Sequence, residues 1–158
     1  MPKITPHLWF DNQAEEAMKF YTAVFPNSKI VSIKYYPENA QDEHLKGMSG
    51  KVLTGIFELD GQRFMALDGG PIFTFNEAVS FVISCKDQAE VDYYWGKLSA
   101  VPASEQCGWL KDKYGVSWQV VPEALGELMS GPNADKVIAA FMPMKKLDIA
   151  ALERAAKS

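Results

Sequence analysis

The sequence predicts an α+β protein made of two consecutive βαβββ modules followed by C-terminal helices. Three observations carry this prediction. A strand pattern followed by a capped amphipathic helix occurs twice, with caps at Asn12 and Asp87. A turn ending in glycine between apolar strands also occurs twice, at Asp60-Gly61 and at Asp112-Lys113-Tyr114-Gly115. The last part of the chain contains helical patterns alone.

The first module is predicted over residues 1–70. Asn12 and Glu15 have the spacing of a capping box, and Pro26 ends the helix that follows. The polar stretch Pro37–Gly50, which contains His44, is predicted to be a mobile loop. The predicted elements are a strand over Ile4–Phe10, the helix up to Phe25, and strands over Ser28–Tyr36, Lys51–Leu59 and Gln62–Leu67.

The second module is predicted over residues 71–122. A strand over Ala78–Cys85 precedes Asp87 and Glu90, which repeat the capping-box spacing, and short strands then lead into a hairpin over Cys107–Pro122. Side chains alternate along the last strand of this hairpin, so it has one apolar face and one mixed face. The apolar face carries Val116, Trp118 and Val120, and the mixed face carries Ser117, Gln119 and Val121.

The two modules form an internal repeat. When Asn12 is aligned with Asp87 and Gly61 with Gly115, Phe64 falls opposite Trp118 and Met65 opposite Gln119. Residues 123–158 do not repeat this pattern and are predicted to be a helical tail. The helical patterns of the tail cover Glu123–Met129, Asp135–Met142 and Asp148–Ala156.

Composition excludes several classes of partner. The net charge is −4 and there is no run of Lys or Arg, which argues against nucleic acid and against an anionic membrane surface as the main partner. No apolar run reaches the roughly 18 residues that span a bilayer. The two cysteines, Cys85 and Cys107, do not make a disulfide framework and are expected to be free thiols. We therefore expect a soluble cytoplasmic protein.

Several short segments resemble a known family. They are Leu8-Trp9-Phe10, Phe20-Tyr21 to Phe25-Pro26, Asp68-Gly69-Gly70-Pro71, Cys107 to Asp112 and Gly115 to Gln119. Through them the chain resembles the PhnB-like family, which is labelled 3-demethylubiquinone-9 3-methyltransferase. That family falls within the vicinal-oxygen-chelate superfamily of glyoxalases, bleomycin-resistance proteins and dihydroxybiphenyl dioxygenases. The resemblance implies tandem βαβββ modules with concave sheet faces, and a homodimer that covers apolar surface.

The resemblance also implies where a divalent metal would be held. The matching positions are His7, Met65, Ser80 and Gln119, with Val82 as the alternative to Ser80. A catalytic zinc needs about three ligands drawn from His, Asp, Glu and Cys. Only His7 is a good ligand, whereas a thioether, a hydroxyl and a neutral amide are poor ones. We therefore predict that these positions do not form a metal site and that the protein has no cofactor.

The leading hypothesis is a protein that binds a small organic molecule in a concave, largely apolar cavity. Trp9 shares the face of His7 and could offer a stacking surface. Arg63 could bind an anionic ligand or form a salt bridge at the cavity rim. The residues predicted to line the cavity are His7, Trp9, Arg63, Met65, Ser80 and Gln119.

Two alternatives stay open, and so does the question of whether the protein is an enzyme. One is a metal-dependent enzyme of the glyoxalase or dioxygenase kind. The other is the methyltransferase that the family label implies, although the only glycine pair after a strand, Gly69-Gly70, leads into Pro71 and not into a helix as an S-adenosylmethionine site of the Rossmann type requires. Cys85 and Cys107 could be activated thiols or small buried apolar residues.

Overall fold

The computed structural model of the protein describes residues 2–39 and 41–158. The chain divides into two compact units, one up to Thr74 and one from Phe75 onward. The predicted α+β class is confirmed, because each unit contains a β-sheet together with helices.

The first unit has the predicted β-α-β-β-β order. Its strands form one sheet in the order β1-β4-β3-β2, in which β1 and β4 are parallel and the other pairs are antiparallel. The elements are β1 (His7–Phe10), α1 (Ala14–Val24), β2 (Lys29–Tyr35), β3 (Val52–Leu59) and β4 (Gln62–Asp68). Between β2 and β3 the predicted loop contains a short 3-10 helix, Glu43–Leu45, while Ala40 lies outside the described residues.

Helix α1 packs on one face of this sheet. Tyr21 stacks on Phe57 of β3 at 6.3 Å between ring centroids, and Phe57 stacks on Phe64 of β4 at 5.4 Å. Gly55 lets the helix approach closely, because a Cβ atom there would lie 2.5 Å from Cε of Met18. The opposite face of the sheet carries no helix of the described part of this unit.

The start of α1 differs from the prediction. The N-cap residue is Gln13, and its side chain makes no capping bond. The carboxylate of Asp68 instead accepts the first helical N–H, that of Ala14, at 2.8 Å. The predicted capping box of Asn12 and Glu15 is therefore wrong, because a carboxylate distant in sequence occupies the position where a local side chain would cap the helix.

The second unit repeats this plan with one strand fewer in its described sheet. The strand order is β5-β7-β6, with β5 and β7 parallel and β6 antiparallel to β7. A 3-10 helix, Pro102–Ser104, occupies the segment that corresponds to β2. The elements of this sheet and its helix are β5 (Ser80–Cys85), α2 (Gln88–Leu98), β6 (Trp109–Lys111) and β7 (Ser117–Pro122).

The predicted faces of β7 are confirmed. Trp118 is buried, and its Nε1 donates a hydrogen bond to Oδ2 of Asp112 at 2.9 Å. Gln119 is only half-buried and lies on the other face. Asp87 caps α2 as predicted, accepting the N–H of Glu90 at 2.9 Å.

The tail forms the three predicted helices, α3 (Leu125–Leu128), α4 (Ala134–Phe141) and α5 (Ile149–Lys157). A small core of four buried residues joins them, namely Leu125, Val137, Leu147 and Leu152. The side-chain amide of Gln88 ties the tail to α2, because it donates to the carbonyl of Leu147 at 3.0 Å and accepts the N–H of Ile149 at 2.8 Å. No helix in the described part of the chain is long and apolar enough to cross a membrane.

Candidate functional site

The face of the first sheet that points away from α1 is called the open face of the first sheet. Strand β4 alternates along its length, so that Phe64, Ala66 and Asp68 are buried beneath α1 and the residues between them point outward. Cross-strand pairs place His7 and Ile56 on either side of Met65. The open face is made of His7, Trp9, Thr54, Ile56, Glu58, Arg63, Met65 and Leu67.

His7 and Met65 are direct neighbours on this face. His7 is exposed, and its ring makes no hydrogen bond or ion pair with the described residues. The nearest carboxylate of the face, Glu58, already lies between Lys29 at 3.8 Å and Arg63 at 3.9 Å. The pair therefore offers one imidazole and one thioether, without an adjacent free negative charge.

Trp9 is held by the loop that follows β4. Its Nε1 donates to the carbonyl of Gly70 at 3.0 Å, and Phe73 meets the ring edge-on at 4.9 Å. A Cβ atom on Gly69 would lie 2.2 Å from Cζ2 of Trp9, so only glycine fits under the ring. One side of the indole is thus already covered, and a ligand could stack only on the other side.

Arg63 forms the salt bridge that was one of its two predicted roles. Its guanidinium lies 3.9 Å from the Glu58 carboxylate, and both side chains are partly exposed. At this distance and exposure the pair contributes little to stability. The arrangement orients Arg63 along the edge of the open face.

The open face of the second sheet, which points away from α2, carries Ser80 and Gln119. Nε2 of Gln119 donates to Oγ of Ser80 at 2.9 Å. The strand register pairs Val82 with Gln119 in the same way that it pairs His7 with Met65. Val82, and not Ser80, therefore occupies the position of this sheet that corresponds to His7, while Ser80 lies two residues earlier on the same face.

Two buried carboxylates have roles that the sequence did not reveal. Asp68 accepts from Ala14 N through Oδ1 and from Val52 N through Oδ2, each at 2.8 Å. Asp112 accepts from the N–H groups of Tyr114 and Val116 and from the indole of Trp118. Both carboxylates bind main chain at the end of a strand. The available signal was an Asp at the end of each hairpin strand, directly before a turn.

The two cysteines differ in burial, and Cys85 is not placed as a nucleophile. Cys85 is buried, and this burial, followed by the charges of Glu90, Asp87 and Glu123, raises the pKa of its thiol to about 12. The thiol therefore stays protonated at neutral pH, which matches the prediction of a small buried apolar residue. Cys107 is a half-buried free thiol in a turn with φ of +40°.

The surface cavities of the described part of the chain include the following two. One, of about 280 Å³, is lined by Asn27, Ser28, Lys29, Glu58 and Gly61. The other, of about 410 Å³, lies where α2 and α5 begin, and includes Asp87, Gln88 and Asp148 in its lining. None of the predicted site residues lines either cavity.

Comparison with known proteins identifies the family of the chain. A family model described as 3-demethylubiquinone-9 3-methyltransferase matches residues 2–121. The chain belongs to this family. The PhnB protein of Bacillus cereus, a solved structure that carries the same description, is 41% identical, with a TM-score of 0.63 over 77% of this chain and 99% of that one. The predicted resemblance to PhnB-like proteins is confirmed.

A more distant structure shares the fold alone. Protein PA1353 from Pseudomonas aeruginosa is 18% identical, with a TM-score of 0.59 over 78% of this chain and 98% of that one. No curated protein matches the sequence. The family match stops at Val121, so α3, α4 and α5 lie beyond it.

A Rossmann-type methyltransferase site has no counterpart in the part of the chain that the structure describes. A Rossmann-type S-adenosylmethionine site needs a parallel sheet and a glycine-rich turn that opens a helix. Each sheet here contains antiparallel pairs, and the residues after the glycine pair form a turn and no helix. The glycine pair is explained by Trp9, which packs on Gly69 and bonds to Gly70.

The donor groups present also do not fit the divalent metal considered in the sequence analysis. Among the described residues, no group of three or more His, Cys, Asp or Glu side chains is arranged to hold an ion. At the four matching positions stand His7, Met65, Val82 and Gln119, none of which brings a negative charge, and neither does the neighbouring Ser80. Asp68 points to the α1 side, where both of its oxygens already accept backbone N–H groups.

Proposed function

We propose that this PhnB-like protein binds a small, largely apolar organic molecule on the open face of its first sheet. His7, Trp9, Arg63 and Met65 are the proposed contacts there, and Ser80 and Gln119 are proposed to offer hydrogen bonds to such a molecule on the second sheet. The observation that carries the proposal is His7, whose ring nitrogens have no partner in the described chain although Met65 and Ile56 beside it are apolar.

The composition of the face supports an organic ligand. Binding sites for small molecules combine apolar lining with a few well-placed polar groups. Met65, Ile56 and Leu67 supply half-buried apolar surface, and the free imidazole of His7 supplies a hydrogen-bond donor and an acceptor. A ligand that covers these residues would remove apolar surface from water and satisfy the imidazole.

The same residues argue for binding without a divalent metal. An ion on this face would give up water for an imidazole and a thioether, and no carboxylate would offset the lost hydration. The nearest acidic side chain, Glu58, is engaged by Lys29 and Arg63. We propose that His7 contacts the ligand directly.

The proposal extends to location and assembly. The free thiols of Cys85 and Cys107 support a reducing compartment, which we propose is the cytoplasm. The net charge of −4 supports a neutral or cationic ligand over nucleic acid. We also propose a homodimer, because apolar side chains such as Phe73 and Val79 are 62% and 66% exposed.

The test is fragment binding followed by two-dimensional amide NMR. Small neutral aromatic compounds are expected to shift the amide signals of His7, Ile56 and Met65 in the native protein. Met65→Arg places a long charged side chain on the face, so it should abolish these shifts. Val31→Arg, which adds the same group to an exposed position of β2, serves as the control and should leave them unchanged.

The contrary results are equally definite. Shifts that persist in Met65→Arg, or that map to the α1 side of the sheet, would contradict binding on the open face. Absence of binding by every compound in the set at millimolar concentration would reject the proposed function.

A further inference from the structure

Two buried hydroxyl oxygens in the described part of the chain have no hydrogen-bond partner, Thr54 Oγ1 and Ser117 Oγ. Both side chains are on the open face of their own sheet and away from its helix. Ser117 is the more deeply buried residue, with 2% of its surface exposed. Buried polar groups are nearly always paired, so an unpaired hydroxyl at such a position needs an explanation.

Ser117 has polar neighbours on both adjacent strands and along its own. Ser80 is its direct partner on β5, where neighbouring strands are about 4.8 Å apart. Gln119 follows on the same face of β7 and bonds to Ser80 at 2.9 Å. In either orientation of the Gln119 amide, this single bond leaves two donors and acceptor capacity on both side-chain oxygens of the Ser80–Gln119 pair unused by the described residues.

Ser80, Ser117 and Gln119 have no unpaired charge among their strand neighbours. Lys111 is the partner of Ser117 on β6, and its ammonium group forms an ion pair with the carboxylate of Glu77. The remaining groups are two hydroxyls and a carboxamide, which suit an uncharged group that both donates and accepts hydrogen bonds. A free carboxylate or ammonium ion would lose its hydration there without gaining an opposite charge.

We propose that Ser80, Ser117 and Gln119 together recognise an uncharged carboxamide-like group of a ligand that binds on the open face of the second sheet. These three residues are called the polar cluster of the second sheet. The assignment rests on the proposed function, because it names the chemistry of the ligand. It also explains why the buried hydroxyl of Ser117 has no partner in the described chain, because its proposed role is to bind the ligand and not to stabilise the fold.

The test compares three probes of similar size, namely benzamide, benzoate and benzylammonium, by amide NMR titration. Benzamide should shift the amide signals of the polar cluster and bind about 3- to 10-fold more tightly than either ion. Ser117→Ala should weaken benzamide binding by about 3- to 10-fold, the effect of one lost hydrogen bond. Ser84→Ala, at an exposed position on β5, is the matched control and should leave the affinity unchanged.

The stability of the variant separates recognition from a structural role. Removing a hydroxyl that has no partner should leave the melting temperature of Ser117→Ala equal to that of the native protein or above it. A lower melting temperature, or failure to fold, would show a structural role and overturn the proposal.

The remaining outcomes distinguish this inference from the proposed function. Equal or tighter binding of benzoate or benzylammonium overturns the carboxamide assignment. Binding confined to the first sheet overturns it while leaving the proposed function intact, and binding on neither face rejects both. An ordered water that remains on Ser117 Oγ in a crystal of the benzamide complex also overturns it.

Discussion

His7 is the residue whose surroundings decide between ligand binding and metal chemistry. Its ring has no partner among the described residues, and its strand partner Met65 is a thioether. The repeat alignment and the family resemblance had singled out Met65 and His7, and the register of β1 on β4 makes them direct partners. The engagement of Trp9 by Gly69 and Gly70 was not predictable, because it depends on the path of a loop that no periodic pattern encodes.

A metal series tests the assignment of His7. Zinc, nickel, manganese and magnesium should raise the melting temperature of the native protein no more than that of His7→Ala. The reason is that the face offers a single strong metal ligand. Thermal-shift measurements on native protein and His7→Ala provide the comparison. His44→Ala, in an exposed 3-10 helix, is the control. An ion that stabilises the native and His44→Ala proteins but not His7→Ala would favour the metal-dependent enzyme.

At the scale of secondary structure, the sequence predicted which segments are helices and strands. It did not predict the residue that caps α1 or the number of strands in the second sheet. Asp87 caps α2 as its local spacing predicts. Asp68 caps α1 from the far end of the module, so no window around Asn12 could have revealed it. The missing strand of the second sheet has a local cause, because Pro102 begins a 3-10 helix in the segment between α2 and β6, and proline cannot donate a hydrogen bond to a strand ladder.

The attachment of the tail to α2 is testable through Gln88. Gln88→Ala removes the hydrogen bonds to Leu147 and Ile149, and the expected loss is about 1 to 2 kcal/mol of stability in the second unit. Hydrogen exchange should become faster in α5 and stay unchanged in the first sheet. Gln62→Ala, at an exposed position of β4, is the control. Unchanged exchange in α5 would show that the apolar core of the tail holds it without Gln88.

For the molecule as a whole, the repeat of the two modules was visible in the sequence. The apolar side chains that remain exposed on the folded protein were not. Exposure depends on the final path of the segment between the sheets, which has little secondary structure from Gly69 to Val79. Four of its apolar side chains, or of those just after it, are more than half exposed, namely Ile72, Phe73, Val79 and Val82. Apolar side chains exposed in this way are typical of a contact surface between subunits.

Light scattering tests the homodimer. The native protein at micromolar concentration should have twice the mass of one chain, and Val79→Asp should shift the equilibrium toward the monomer because it places a charge on exposed apolar surface. Val31→Asp is the control, since Val31 is an exposed valine of β2 and does not belong to this segment. A monomeric native protein, or a Val79→Asp protein as dimeric as the control, would contradict the prediction.

The parallel pairing of β1 with β4 has a consequence for synthesis of the protein. β1 leaves the ribosome first, but its pairing partner is the last strand of the unit, so His7 reaches its place beside Met65 only after the chain has emerged past Thr74. Domains generally fold as units while the rest of the chain is still being made. The face that carries His7 is thus expected to be complete on the ribosome before the helices of the tail have been translated.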